Sequence, residues 1–490
     1  MLFTSALFAW AYLPIVLAGF FLIGRWSERG AALWLFVASL VFYAVWMPEF
    51  TLLLLASITF NYLVGQRIGA LRSKAWLTFG VTCNLVLLAY FKYAGFLLVN
   101  FNAVAGTDWS FGQIVLPIGI SFFTFTQIAF LVDAYAKGVR EPSFVHYGLF
   151  VTYFPHLVAG PVLHHAQMMP QFARAETYRF NFTNLTIGMG IFALGLFKKV
   201  VLADGVSPYA DAVFDGAEQG SVPTTEEAWL GALAYTLQLY FDFSGYSDMA
   251  VGLSWMLNIR LPFNFNSPYL ATNISEFWRR WHISLSSFLR DYLYIALGGN
   301  RRGDVRRYAN LLTTMILGGL WHGASWSFVL WGTLHGLYLV VQQLWSRLRG
   351  AAADPKVSPA PAASWAVRVL SWALTMLCVV FAWVLFRSPS LEGALAMYTA
   401  MLGLADIETG TALWNAGLQV STGWLLCAAL TAVALWPRNS NELGIGLRAL
   451  VQGRASRVAF VAGASASLIA MLILLNNSRG VAGAFIYFNF

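Results

Sequence analysis

The sequence predicts an all-helical, polytopic membrane protein, and three observations carry that prediction. Of 490 residues, 59% are hydrophobic and only 11% charged, against about 45–50% and about 25% in a soluble domain. Several stretches hold no Asp, Glu, Lys or Arg and are long enough to cross a bilayer: Ala31 to Pro48, Tyr308 to Ser346, Val369 to Phe386, Thr409 to Pro437 and Val458 to Ser478. The basic residues lie in short clusters between apolar runs, such as Arg67, Arg72 and Lys74, or Arg301, Arg302, Arg306 and Arg307. That pattern reads as loops facing anionic lipid. The net charge of +8 is therefore a membrane signature and not a nucleic-acid one.

In chain order the expected helix cores are 3–24, 31–47, 49–65, 76–101, 114–136, 146–160, 183–204, 228–256, 308–320, 324–345, 365–387, 415–436 and 458–476. This gives about 11 to 13 spanning or re-entrant helices. Arg25 and Arg29 follow the first apolar run instead of preceding it. The reading is an uncleaved first helix with its N-terminus outside and those arginines in the cytosol. The uncharged stretch 308–346 has room for nearly two passes, with a break expected at Gly318 and Gly319. The Ala/Pro-rich segment 350–363 is the clearest linker. Residues 1–490 are expected to form one membrane domain with no internal repeat. Cys83, Cys378 and Cys427 stand singly in apolar runs and read as structural thiols.

Polar groups at membrane depth need partners or a purpose. In FDFSGYSDMA, 241–250, Asp242, Ser244, Tyr246 and Asp248 interrupt an apolar run. They either pin neighbouring helices together or line a cavity. In the segment 273–303, Asn273 followed by Glu276 marks a helix start. Arg279 and Arg290 alternate with aromatic residues on an interfacial amphipathic helix, with His282 in its middle. LGGLWHGASW, 317–326, places Trp321 and His322 among glycines, and Asn310 lies a few turns earlier. His335 lies thirteen residues beyond His322; in one continuous helix it would point roughly 220° away and serve a structural role.

A desolvated imidazole stays unprotonated at neutral pH. Such a group can take the proton of a hydroxyl attacking a carbonyl, which points to acyl transfer. Competing signatures are missing from the sequence. GISFF, GYSDM and GASWS each lack the last glycine of a nucleophile elbow. There is no P-loop and no G-x-G-x-x-G. HHAQM, with His164 and His165, has Met169 where a soluble acyltransferase motif has Asp, and lacks further metal ligands.

LPIGISFFTFTQIAFLVDAY (116–135), YFPHLVAGPVLHHAQMMPQF (153–172), LYFDFSGYSDMAVGL (239–253), EFWRRWHISLSSFLRDYLYIALGGNR (276–301), GGLWHGASW (318–326) and FIYFNF (485–490) together resemble the membrane-bound O-acyltransferases. The likeness is to the bacterial branch that acetylates exopolysaccharides such as alginate and cellulose. It implies a helical bundle with a central funnel, His322 as catalytic base and His282 as a second functional histidine. Asp242, Ser244, Tyr246, Asp248, Glu276, Arg279, Arg290, Asn310 and Trp321 would line or order the substrate cavity. It further implies a cytosolic acetyl donor, most simply acetyl-CoA, with no bound cofactor or metal. The site would be the inner membrane, with a periplasmic SGNH-type acetyltransferase and polysaccharide synthesis and secretion machinery as partners. The alternatives are transfer of another acyl group, such as D-alanine, acetylation of peptidoglycan, or, from a different class, a transporter. A transporter predicts inverted repeats with broken helices.

Overall fold

The computed structural model describes residues 1–348, 364–405, 412–451, 455–479 and 485–486. The expected linker 350–363 therefore lies outside the described residues. The regular structure of the described residues is all helical, without strands. Among the described residues five helices are long and apolar enough to cross a membrane: Pro48–Leu71, Lys74–Ala105, Phe182–Glu218, Trp365–Arg387 and Ala455–Ser478. Seven helices position the candidate site and its surroundings: α1 (Phe182–Phe197), α2 (Thr225–Met256), α3 (Ile274–Arg280), α4 (Ile283–Phe288), α5 (Asp304–His322), α6 (Trp326–Leu348) and α7 (Trp365–Arg387).

The chain falls into two compact units. One comprises Met1–Val200, Phe243–Phe263 and Ser440–Phe490; the other comprises Val201–Asp242 and Asn264–Asn439. The motif 241–250 straddles their boundary: Asp242 belongs to the second unit, Ser244, Tyr246 and Asp248 to the first.

In the first unit α1 and the second half of α2 pack backbone to backbone. A Cβ at Gly188 would meet the carbonyl oxygen of Gly252, and one at Gly195 that of Gly245. The two contacts are seven residues apart on both helices, two turns, so a glycine-lined seam sets the crossing. The seam brings Lys198 to Asp248. Its Nζ lies 2.7 Å from Oδ2 of that residue and donates also to Ser244 Oγ at 3.4 Å and Ser440 Oγ at 3.0 Å. Tyr246 stacks on Phe3 at 5.0 Å and meets Phe485 edge-on at 4.7 Å.

In the second unit α5 and α6 form a close-packed hairpin. The chain turns at 323–325 and not at Gly318 and Gly319, which remain helical. The reason is packing: a Cβ at Gly319 would collide with the Phe328 carbonyl, and one at Gly332 with the Met315 carbonyl. The glycines give the two helices close approach and leave the turn to Gly323 and its neighbours. His322 is consequently the last residue of α5.

Candidate active site

The hairpin changes the relation between His322 and His335. Because α5 and α6 are not one continuous helix, both imidazoles meet the same indole. Trp331 lies edge-on to His322 (ring centroids 5.2 Å apart, planes at 88°) and edge-on to His335 (4.9 Å, 68°). On its other side His322 packs against Trp321 at 5.0 Å, and Trp321 in turn faces His282 at 6.4 Å. Three histidines are thus strung on two tryptophans: His282, Trp321, His322, Trp331, His335. All five are buried, with exposures of 4% or less. Phe386 of α7 closes the pocket over His322 at 5.1 Å.

His282 does not sit mid-helix. It occupies the break between α3 and α4 with φ 44° and ψ 54°, the left-handed region. A non-glycine residue there costs about 1–2 kcal/mol, so the surroundings must impose it. Asn264 does so. Its Oδ1 accepts from Ser284 N–H (3.0 Å) and Ser284 Oγ–H (2.9 Å), and lies 3.2 Å from His282 Nδ1. The Asn264 carbonyl also accepts from Ile283 N–H at 2.9 Å. An amide oxygen only accepts, so His282 Nδ1 carries the proton and the neutral ring keeps its lone pair on Nε2. Sequence reasoning did not single out Asn264. The available signal is one amide between two phenylalanines in PFNFN, 262–266.

The other candidates spread more widely. Asn273 caps α3, accepting from Glu276 N–H at 2.8 Å. The Glu276 carboxylate accepts from Thr272 N–H and Oγ1–H, each at 3.0 Å, and pairs with Arg280 at 2.8 Å. Burial pushes its carboxyl up, but the Thr272 hydrogen bonds and Arg280 outweigh burial and hold it below the ordinary glutamate range. Arg279 is exposed, and Arg290 is paired with its neighbour Asp291 at 2.7 Å. Asn310 is buried on α5 and donates to the Gly299 carbonyl at 3.1 Å, fixing the turn before that helix. Asp242 is buried in α2. Among the described residues no group of three His, Cys, Asp or Glu side chains is arranged for a metal ion.

This arrangement provides a buried imidazole at a helix end, a second imidazole with a defined tautomer, and aromatic rings packed around the first. Residues 49–386 match the model of MBOAT, the membrane-bound O-acyltransferase family. The chain is 37% identical to the peptidoglycan O-acetyltransferase of Helicobacter pylori, over 100% of this chain and 98% of that protein. It is 44% identical to the probable alginate O-acetylase AlgI of Pseudomonas aeruginosa, over 86% of this chain and 79% of that protein. A teichoic acid D-alanyltransferase of Streptococcus thermophilus is 28% identical over 47% of this chain and 57% of its own length.

Proposed function

The chain belongs to the membrane-bound O-acyltransferase family, and we propose that within it this multi-pass O-acetyltransferase moves acetyl from a cytosolic thioester, acetyl-CoA, to a hydroxyl of a cell-envelope polymer. His322 is the general base. It takes the proton of the attacking hydroxyl; the hydroxyl oxygen bonds to the thioester carbonyl carbon; the C–S bond breaks and the thiolate receives the proton. The observation that carries the reading is His322 itself, buried at the end of α5 between Trp321, Trp331 and Phe386.

His282, held by Asn264 and facing Trp321, assists by positioning or electrostatics. Trp321 and Asp242 line the cavity, while Glu276, Arg280 and Asn310 order the segments around it. Arg279 and Arg290 stand at the lipid or donor face. Ser244 and Asp248 hold Lys198, and Tyr246 fills the aromatic core of the first unit. The protein acts in a bacterial inner membrane, where a charged donor stays cytosolic and a periplasmic SGNH-type acetyltransferase of a polysaccharide machinery completes the transfer.

An exopolysaccharide of cellulose or alginate type is the acceptor in the first reading, the alginate option resting on the 44% identical AlgI. A second reading, peptidoglycan, rests on the relative that matches along its whole length. The test uses a deletion strain complemented with wild type or His322→Ala at equal protein level. Ester-linked acetate is then measured separately on exopolysaccharide and on muropeptides. Acetate restored on one polymer by wild type alone identifies the acceptor. Equal restoration by both genes removes His322 from the reaction.

A further inference from the structure

The face of α6 that looks into the site is polar in a way the acyl transfer itself does not use. Ser327, Trp331 and His335 follow one another at four-residue steps, so they share a face that drifts only about 40° per step. They are 2%, 1% and 0% exposed. Ser327 Oγ, Trp331 Nε1 and His335 Nε2 each lack a hydrogen-bond partner among the described residues. His335 Nδ1 accepts from Trp278 Nε1–H at 3.3 Å. The neutral ring therefore carries its proton on Nε2, and Trp278 fixes which way that proton points.

Three consecutive turns thus present three buried hydrogen-bond donors. A buried donor without an acceptor costs about 1–3 kcal/mol, and one such group is ordinarily bridged by an ordered water. The same face continues toward the helix end. Tyr338 packs on His335 at 5.8 Å. Gln342 accepts from Ser275 and lies 3.4 Å from Ser346. Beyond them Arg347 pairs with Asp304 at the exposed end. From Ser327 to Ser346 the stripe runs about 29 Å along the helix. The opposite face, with Leu330, Leu337, Val341 and Leu344, is apolar and exposed, as lipid contact requires.

We propose that the Ser327–Trp331–His335 face of α6 lines a file of water molecules leading from His322 toward the Asp304–Arg347 end, through which the proton taken by His322 travels. The proposal rests on His322 being the base. In the transfer, the O–H and C–S bonds break and the C–O and S–H bonds form, so one proton passes from hydroxyl oxygen to thiolate sulfur. An imidazole spans only the atoms hydrogen-bonded to its two nitrogens, and a water file extends that reach. Trp331 Nε1–H and His335 Nε2–H only donate: each takes a lone pair of a water and leaves the water's own protons to pass along the file, while the Ser327 hydroxyl both donates and accepts. His335 is a positioning residue here: with Nδ1 engaged by Trp278 it orders the water and does not itself take up the proton.

The first test does not depend on activity. The full-length protein in lipid nanodiscs is exposed to radiolytic hydroxyl radicals, which form from water in place, and oxidation is read by mass spectrometry. Corrected for intrinsic reactivity, Trp331 should be oxidised well above Tyr269. Tyr269 is equally buried, but its hydroxyl donates to the Thr236 carbonyl at 2.6 Å. Trp331 protected to the level of Tyr269 means a dry face and overturns the proposal, whether or not the enzyme turns over acetyl-CoA.

The second test uses His335→Phe and His335→Gln. In His335→Phe, Trp331 oxidation falls and kcat drops roughly tenfold at unchanged KM for the thioester, the loss expected from one hydrogen bond in a proton-transfer step. In His335→Gln, whose amide restores a donor, both recover. Wild-type labelling and turnover in His335→Phe, or no recovery in His335→Gln at equal folded protein, overturns the role of His335. A labelled Trp331 together with an active His322→Ala would instead leave the water file standing and remove the reading it serves.

Discussion

Two buried polar clusters, one in each unit, are built in opposite ways. In the first, Lys198 and Asp248 form a 2.7 Å ion pair inside a ring of serine hydroxyls, and its charges are neutralised on the spot. In the second, the face of α6 next to His322 ends in hydrogen-bond donors with no acceptor among the described residues. Both arrangements are expensive where no bulk water reaches. A saturated network holds helices together and has no capacity left for a substrate. An unsaturated one keeps that capacity and is the place to look for chemistry.

The contrast meets its severest trial at His322. His322→Ala, assayed as CoA released from acetyl-CoA in purified membranes, should lose activity by about 10²–10⁴-fold, the range for a general base, while its thermal unfolding stays close to wild type. Full turnover in the variant would make the pocket structural and move the search for a base to His282.

Next in size is the saturated network. Removing one partner of a buried ion pair costs about 3–5 kcal/mol, while replacing both by apolar groups of similar volume costs little. Lys198→Met should therefore unfold at a markedly lower temperature, and Lys198→Met combined with Asp248→Leu should regain most of the loss. Activity per folded molecule should remain near wild type in the double variant. A stable double variant that is inactive would show that Lys198 and Asp248 do more than hold the helices together, and the contrast between the two clusters would fail.

The third prediction separates backbone from imidazole at His282. Glycine adopts φ near 44° without strain, so His282→Gly should fold as well as wild type or better. Its turnover should nevertheless fall about a hundredfold, the cost of a reacting group displaced by about 1 Å. Asn264→Ala should lower both turnover and stability, because it strips the acceptor from Ser284 and His282 together. If His282→Gly keeps wild-type turnover, the histidine serves only the bend.

These cases also mark what the sequence discloses. Apolar runs long enough to span a membrane announce the helical class, because the bilayer demands them. His322 was legible because an ionisable group inside an uncharged stretch stands out. His282 was legible as a residue but not as a left-handed break, since that conformation depends on Asn264 eighteen positions earlier. The link between His322 and His335 was illegible for a similar reason: it requires the turn at 323–325, and the glycine pair at 318–319 is the more obvious place to break a helix. Lys198 as the partner of Asp248 follows from a glycine seam between helices fifty residues apart in sequence, and no local pattern reveals it.

The smallest effect concerns a half-saturated site in the first unit. His165 Nε2 lies 3.9 Å from Glu141 Oε2, too far for a hydrogen bond, and His146 Nδ1 lies 3.8 Å from Oε1 of the same carboxylate. Burial pushes the His165 imidazole down to about 4, against some lift from Asp133. Burial raises Glu141. As pH falls from 6.5 toward 4, the unfolded chain binds a proton that folded His165 refuses, so stability declines across that window. Glu141 opposes it, because a carboxyl raised in the fold binds its proton there first. The net loss at pH 5.5 should be about 1 kcal/mol, seen as a lower unfolding temperature in detergent than at about pH 7.5. His165→Gln keeps the size and polarity without the titration and should flatten most of that slope. An equally steep slope in His165→Gln would assign the acid sensitivity to other groups.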